Sequence, residues 1–290
     1  MTKIKMKVGV AAALAIGVAG AVVPLSEALG VTYGMLIQEA KAGSERAAQE
    51  ILRGARAGNS VGAACAGLLY SYGWGLPVSH AKAAYWYEKS AAQGYAPAEN
   101  DLGNAYQQGQ GVPRSFAKAT YWYKKGALQG DAGAEYNLGL AYERGLGVPQ
   151  DTARAAYWYR KSAEQGNALA ADNLGAAYHH GWGVSLSYSK AAHWFRRAAK
   201  QGLADAEFNL GRAYSQGLGV MQNYDEAAYW YSKAARQGDA NAEVNLGLAY
   251  YYGRGVPQNI MIAVAWFQKG AAQGDPLAIN DLRVAESRVQ

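Results

Sequence analysis

The chain is poor in the residues that usually carry metal, redox or covalent chemistry. It has one cysteine, Cys65, in 290 residues and only four histidines, His80, His179, His180 and His193. A lone thiol excludes an internal disulfide framework and any thiolate zinc cluster. The histidines form no His-Glu-x-x-His string and keep no metal-ligand spacing, so no metal site is expected. No phosphate-loop string occurs and no cofactor is implied. Long apolar runs are also missing: the longest, Val8 to Val23, is 16 residues, short of the ~20 needed to span hydrocarbon. The formal charge is +6, and without the first 28 residues 25 basic side chains face 21 acidic ones. That excess is too mild to predict nucleic-acid binding.

The N-terminus has its own pattern. Lys3, Lys5 and Lys7 precede the apolar run and Pro24. Small residues then permit cleavage after Ala21 (Ala19-Gly20-Ala21) or after Ala28 (Ser26-Glu27-Ala28). This is the layout of a secretory signal peptide over residues 1–28, which predicts export with no stable membrane span after cleavage.

What is abundant is repetition. Trp86, Trp122, Trp158, Trp194, Trp230 and Trp266 follow one another at 36 residues, as do Gly67, Gly103, Gly139, Gly175, Gly211 and Gly247. Tyr70, Tyr106, Tyr142, Tyr178, Tyr214 and Tyr250 keep the same step, with no insertion anywhere. Within a unit, Ala98, Leu102, Ala105, Tyr106 and Gly109 share one face of a helical wheel; Ala83, Trp86, Tyr87, Ser90 and Ala91 share another. Both spacings predict amphipathic helices, A near 96–108 and B near 80–93.

Cap formers mark the ends. Asn59, Asp131, Asn167, Asp239 and Asp275 precede helix A; Ser79, Ser115, Asp151, Ser187, Asn223 and Asn259 precede helix B. Glu99, Glu135, Glu207 and Glu243 lie in the first turn of helix A, where the helix dipole favours them. Helix B stops at the glycine of each Gln-Gly pair. A glycine inside helix A costs about 0.5–1 kcal/mol relative to alanine. Six repetitions of it predict close approach there, with an aromatic ring from a neighbouring helix filling the space. One helix pair cannot bury its apolar face alone, so the units must stack. The expected architecture is an all-α, α/α superhelical solenoid of six units: 59–94, 95–130, 131–166, 167–202, 203–238 and 239–274. Residues 29–58, with Glu50 at the tryptophan position, and 275–290, with Arg283 at the glycine position, read as capping helices.

Units such as Ala-Glu-Tyr-Asn-Leu-Gly-Leu-Ala-Tyr (134–142), Gly-Leu-Gly-Val (145–148) and Ala-Ala-Tyr-Trp-Tyr-Arg-Lys-Ser-Ala-Glu-Gln-Gly (155–166) resemble the Sel-one-like repeat, a relative of the tetratricopeptide repeat. The resemblance covers residues 59 to 282. It implies a right-handed superhelix and adaptor or scaffold roles, with a protein or peptide partner and no fixed substrate. Some secreted relatives carry a disulfide in each repeat and penicillin-binding or weak β-lactamase activity; this chain lacks their cysteine pairs. The three Ser-x-x-Lys strings (Ser79–Lys82, Ser115–Lys118, Ser187–Lys190) have the spacing of penicillin-interacting enzymes. All three fall in the helix B cap slot, and neither Ser-Asp-Asn nor Lys-Thr-Gly is present. No catalytic residue is assigned.

In the related families helix A lines the concave side, so its unfixed positions are the expected binding surface. An asparagine ladder (Asn137, Asn173, Asn209, Asn245) either holds an extended peptide backbone or bonds one repeat to the next. Beside it runs a varied floor that includes Arg144, His180, Arg212 and Tyr252. Helix B offers a rival surface for an envelope glycan or anionic polymer: Tyr85, Tyr121, Tyr157 and Tyr229, with lysines nearby. Lysine stems covering rings are the plainer account of that stripe.

Overall fold

The computed structural model describes residues 25–288, and among them fifteen α-helices and short turns make the whole structure. The expected signal segment ahead of residue 25, with the Ala21 cleavage position, lies outside the described residues; Ala28 falls within the first helix. No helix among the described residues is long and apolar enough to cross a membrane.

Helices α1 (Leu25–Lys41) and α2 (Glu45–Arg56) lead into six pairs: α3 (Ser60–Tyr72) with α4 (His80–Ala91), α5 (Ala96–Gln108) with α6 (Phe116–Leu128), α7 (Ala132–Arg144) with α8 (Thr152–Glu164), α9 (Ala168–His180) with α10 (Tyr188–Ala199), α11 (Ala204–Gln216) with α12 (Tyr224–Arg236), and α13 (Ala240–Tyr252) with α14 (Ile260–Ala272). Helix α15 (Pro276–Glu286) closes the stack. Each helix packs on its predecessor and successor in the chain. The result is an all-α solenoid, with helix A of each unit at α3, α5, α7, α9, α11 and α13.

The caps work as their chemistry requires. Every helix B cap residue accepts a first-turn amide, as at Lys118 N to Ser115 Oγ (3.3 Å) and Arg154 N to Asp151 Oδ1 (2.9 Å). Four helix A starts, and that of α15, are capped in the same way; α5 and α11 have Tyr95 and Leu203 at the cap position, with no side-chain acceptor. Between the helices, Gly109 (φ 73°) and Gly111 (φ 74°) turn left-handed. The amide of Ser115 then donates to the carbonyl of Tyr106 at 2.9 Å, and the same bond recurs in all six units. A Cβ on Gly111 would run into the backbone at His80 and Ala81, so this turn lies flat on the helix B of the preceding unit.

The glycine within helix A is a packing device. At Gly139 an added Cβ would lie 2.7 Å from Cδ1 and Cε1 of Tyr159, and Gly103, Gly175, Gly211 and Gly247 meet Tyr123, Phe195, Tyr231 and Phe267 in the same manner. The ring pressed on the glycine is therefore the residue after the repeating tryptophan. The tryptophans pack at the border of the same clusters: Trp194 and Trp230 are buried, whereas Trp86, Trp122, Trp158 and Trp266 are partly exposed. Leu102, Leu138, Leu174, Leu210 and Leu246 form the buried centre of successive units. Each leucine contributes about 1.5–3 kcal/mol by leaving water, which outweighs the glycine penalty.

The ends follow the same logic. Tyr33 of α1 packs on Gly54 and Gly62, so α1 covers α2 and α3 and a helix pair precedes the first unit. At the far end α15 is the last helix among the described residues. Arg283 occupies its glycine position and is exposed to solvent, with no ring pressed on it among the described residues.

Candidate functional site

The helix A sides of successive units are joined side chain to side chain. Asn137 on α7 donates to Oδ1 of Asn100 at 2.8 Å and of Asn104 at 3.3 Å, both on α5. Asn209 on α11 donates to Oδ1 of Asp172 on α9 at 3.2 Å. Asn173 lies beside the hydroxyls of Tyr136 and Tyr159 and counters the rise that burial gives them. Asn137 and Asn209 thus tie one unit to the next. Asn245 differs: the residue 37 places before it, where Asn137 has Asn100 and Asn209 has Asp172, is Phe208, which offers no acceptor, and its Nδ2 donates to Asn241 O within its own helix at 2.8 Å.

Cys65 and Asp101 fill the same ladder position in the first two units. Burial pushes the Cys65 thiol up to about 12, with Asp101 adding to it. Burial, reinforced by Asp131, holds the Asp101 carboxyl up at about 7. Burial also raises Asp172 to about 6, against the pull of its bond from Asn209.

The varied positions gather toward the C-terminal half. His180 is exposed and stacks on Trp182, ring centroids 4.3 Å apart and planes at 19°. His179 lies between His180 and Tyr188, and its Nε2 is 3.5 Å from a guanidinium nitrogen of Arg212. Burial, Arg212 and His180 together lower the His179 pKa. Tyr252 is 56% exposed and lies against the Arg254 guanidinium, 5.0 Å from the ring centre. Asn245 and Tyr252 line one cavity of about 250 Å³ with Ser215, Tyr224, Tyr231 and Arg254. Arg144 stands apart from this group, exposed and 3.9 Å from Glu143 of its own helix.

Two sets of side chains have roles that first-turn position and helical period did not reveal. Glu99, Glu135, Glu207 and Glu243 are buried. Each accepts from the glutamine 30 residues on, at 2.6–2.8 Å: Gln129, Gln165, Gln237 and Gln273. In the two units with alanine at that place (Ala63, Ala171) the glutamine turns back to its own helix, Gln93 to Lys89 O and Gln201 to Arg197 O. The only trace of it in the sequence is a position that holds Glu in four units and Ala in two, 30 residues before a constant Gln. The ring over the glycine shows a second pattern. Tyr87, Tyr123, Tyr159 and Tyr231 place their hydroxyls on Ser71, Gln107, Glu143 and Ser215. The units with phenylalanine there, Phe195 and Phe267, have no hydroxyl to satisfy.

The Ser-x-x-Lys serines act as caps. Ser79, Ser115 and Ser187 accept the amides of Lys82, Lys118 and Lys190 at 3.3–3.4 Å. The three ammonium groups lie over Tyr70, Tyr106 and Tyr178, 5.1–5.3 Å from the ring centres. On helix B, Tyr85, Tyr121, Tyr157 and Tyr229 are about half exposed, each edge-on to the adjacent tryptophan. Two of the stripe's cations are already engaged: Lys125 and Lys233 lie 3.5 Å from the buried Glu99 and Glu207 and also cover Trp122 and Trp230. No group of three or more metal-binding side chains occurs among the described residues.

The Sel1 repeat model matches six segments, 63–95, 96–131, 132–167, 168–203, 204–239 and 240–275. Among solved structures, a protective antigen present in uropathogenic Escherichia coli strains, displaying an SLR fold, is 30% identical with a TM-score of 0.76. The match covers 86% of this chain but only 58% of that one. A Sel1 repeat protein from Oxalobacter formigenes is 34% identical with a TM-score of 0.69, over 76% of this chain and 86% of that one. No curated protein matches the chain.

Proposed function

Because the chain belongs to the Sel1 repeat family, whose members are generally protein-interaction scaffolds, we propose that it is an exported, non-catalytic scaffold that captures a protein or peptide on its helix A side. The observation that carries this reading is the contrast between two sets of positions. The strictly repeated residues are consumed by packing, capping and hydrogen bonding between units. Of the drifting positions, His180 and Tyr252 are exposed and Arg212 is partly exposed, and Gln216, Leu248 and Tyr252 line the cavity between the fifth and sixth units. Side chains with no packing duty that vary from unit to unit suit recognition of one defined partner. Export is supported by the basic, apolar and small-residue order of residues 1–28.

The test is affinity capture with the purified protein, followed by mass spectrometry. A variant with Arg212→Ser and Tyr252→Ala is expected to lose the retained partner while keeping its helix content. A variant with Tyr121→Ser and Tyr157→Ser on helix B is expected to keep it. Loss in the second variant and retention in the first would move recognition to the opposite side and end this reading.

A further inference from the structure

The cavity between the fifth and sixth units has a composition that specifies more than general stickiness. Its one charged group is Arg254, which occupies a turn position held in the other units by Trp74, Gln110, Leu146, Trp182 and Leu218. The repeat therefore does not demand a cation there. The guanidinium lies 5.0 Å from the centre of the Tyr252 ring and 5.7 Å from that of Tyr224. Two aromatic rings thus restrict its position before any partner arrives. Among the described residues it has no ion pair and no side-chain hydrogen bond, although Asp225 and Glu226 begin the adjacent α12. Glu226 is engaged elsewhere, accepting from the indole of Trp230 at 3.1 Å.

The remaining polar groups complement that cation. Phe208 stands where Asn137 and Asn209 find their acceptors, Asn100 and Asp172, so the Asn245 amide group donates within its own helix and its carbonyl oxygen has no bonded donor. Ser215 and Tyr231 share one hydrogen bond at 3.0 Å at the cavity wall. The site thus pairs a positioned, unpaired cation with a free amide acceptor, beside Leu248 and Ala249. Its volume of about 250 Å³ is below the ~300–1,000 Å³ of pockets that enclose whole drug-sized ligands, and it suits a single side chain.

We propose that this cavity receives the carboxylate of an aspartate or glutamate side chain in an extended peptide, with Arg254 as its charge partner and Asn245 accepting the peptide's own N–H. The proposal rests on the helix A side being the binding surface. Both halves of an acidic residue are used: the carboxylate fits the fork of guanidinium donors, and the backbone amide supplies the donor that Asn245 lacks. A side chain is favoured over a chain terminus because α15 continues the stack beyond this site, so a bound chain has surface to run along in both directions.

The full-length chain would be panned against random heptapeptides displayed internally, and in parallel against a library ending in a free C-terminal carboxylate. The expected outcome is enrichment of Asp or Glu at one fixed position of the internal library, lost when the panning is repeated on Arg254→Gln. For a synthetic peptide from the enriched set, Glu→Gln should weaken binding to the wild type roughly ten- to a hundredfold, as for a lost charge-assisted bond, and should leave binding to Arg254→Gln unchanged. Arg254 lies exposed in a turn, so circular dichroism of that variant should match the wild type. Enriched peptides without an acidic preference would overturn the assignment of this cavity and leave the peptide-binding reading standing. Enrichment only in the free-terminus library would overturn the side-chain assignment. No enrichment from either library would sink the helix A reading and this proposal with it.

Discussion

Substituting alanine for Gly139 removes a poor helix former from the middle of α7, and helix propensity alone predicts a gain of about 0.5–1 kcal/mol. The tertiary contacts predict the opposite. The new methyl would lie 2.7 Å from two carbons of Tyr159 and 3.4 Å from the carbonyl of Ala155. Carbon atoms in ordinary contact are ~3.5–4.0 Å apart, so the ring has to retreat by roughly 1 Å. Tyr159 is 1% exposed and its hydroxyl donates to Glu143 at 3.0 Å, so retreat strains the core or breaks that bond. Overpacking of this kind costs ~1–3 kcal/mol. Set against the propensity gain, Gly139→Ala should destabilise by about 1–2 kcal/mol. Gly34, inside α1, is the internal control because nothing lies within 4 Å of its added Cβ; Gly34→Ala should stabilise by about 0.5–1 kcal/mol. Urea unfolding followed by tryptophan fluorescence should show midpoints moving in opposite directions. Adding Tyr159→Leu should abolish the Gly139→Ala penalty in a double-mutant cycle. If Gly139→Ala raises the midpoint as Gly34→Ala does, the glycine is not a seat for the ring and the packing account fails.

Three further measurements follow from the same contacts. Gln165→Leu takes the donor at 2.8 Å away from the buried Glu135 carboxylate and should cost about 1–3 kcal/mol; adding Glu135→Ala, the residue two other units hold at that place, should recover most of the loss, and no recovery would mean that the glutamine acts in some other way. Asn209→Ala removes the bond to Asp172 between the fourth and fifth units and should lower thermal stability, by about 1 kcal/mol; an unchanged melt would return that asparagine to a purely recognition role. The Asp101 carboxyl titrates at about 7 in the folded chain and near 3.9 when unfolded. The native state therefore holds the proton more tightly, and stability from this group declines as pH rises from about 4 to about 7. Asp101→Asn should match the wild type in urea midpoint at pH 4 and exceed it at pH 8; a gap independent of pH would show that the carboxyl is not buried as described.

Much of this was legible in the chain itself. Period, caps and turn glycines identify both helices of each unit, because a cap needs only an oxygen three residues from an amide and a turn needs only a residue tolerant of positive φ. The need for a ring beside Gly139 was legible too, but not which ring: Trp158 and Tyr159 are adjacent, and only the relative rotation of α7 and α8 selects Tyr159. The four helix A glutamates read as dipole partners because sequence distance hides a glutamine 30 residues away that packing brings to 2.6–2.8 Å.

The amino-acid order by itself determined the unit, its two helices, their ends and the number of times they recur, since all of these follow from contacts within a few residues. Tertiary structure decided what the drifting positions share: that Asn137 and Asn209 are spent on the preceding unit, that Asn245 is not, and that Arg254 is held between Tyr224 and Tyr252 without an acidic partner. Those outcomes depend on how one helix pair is turned against the next. That rotation is set by the packing of every buried side chain at the junction together, and no local stretch of sequence contains it.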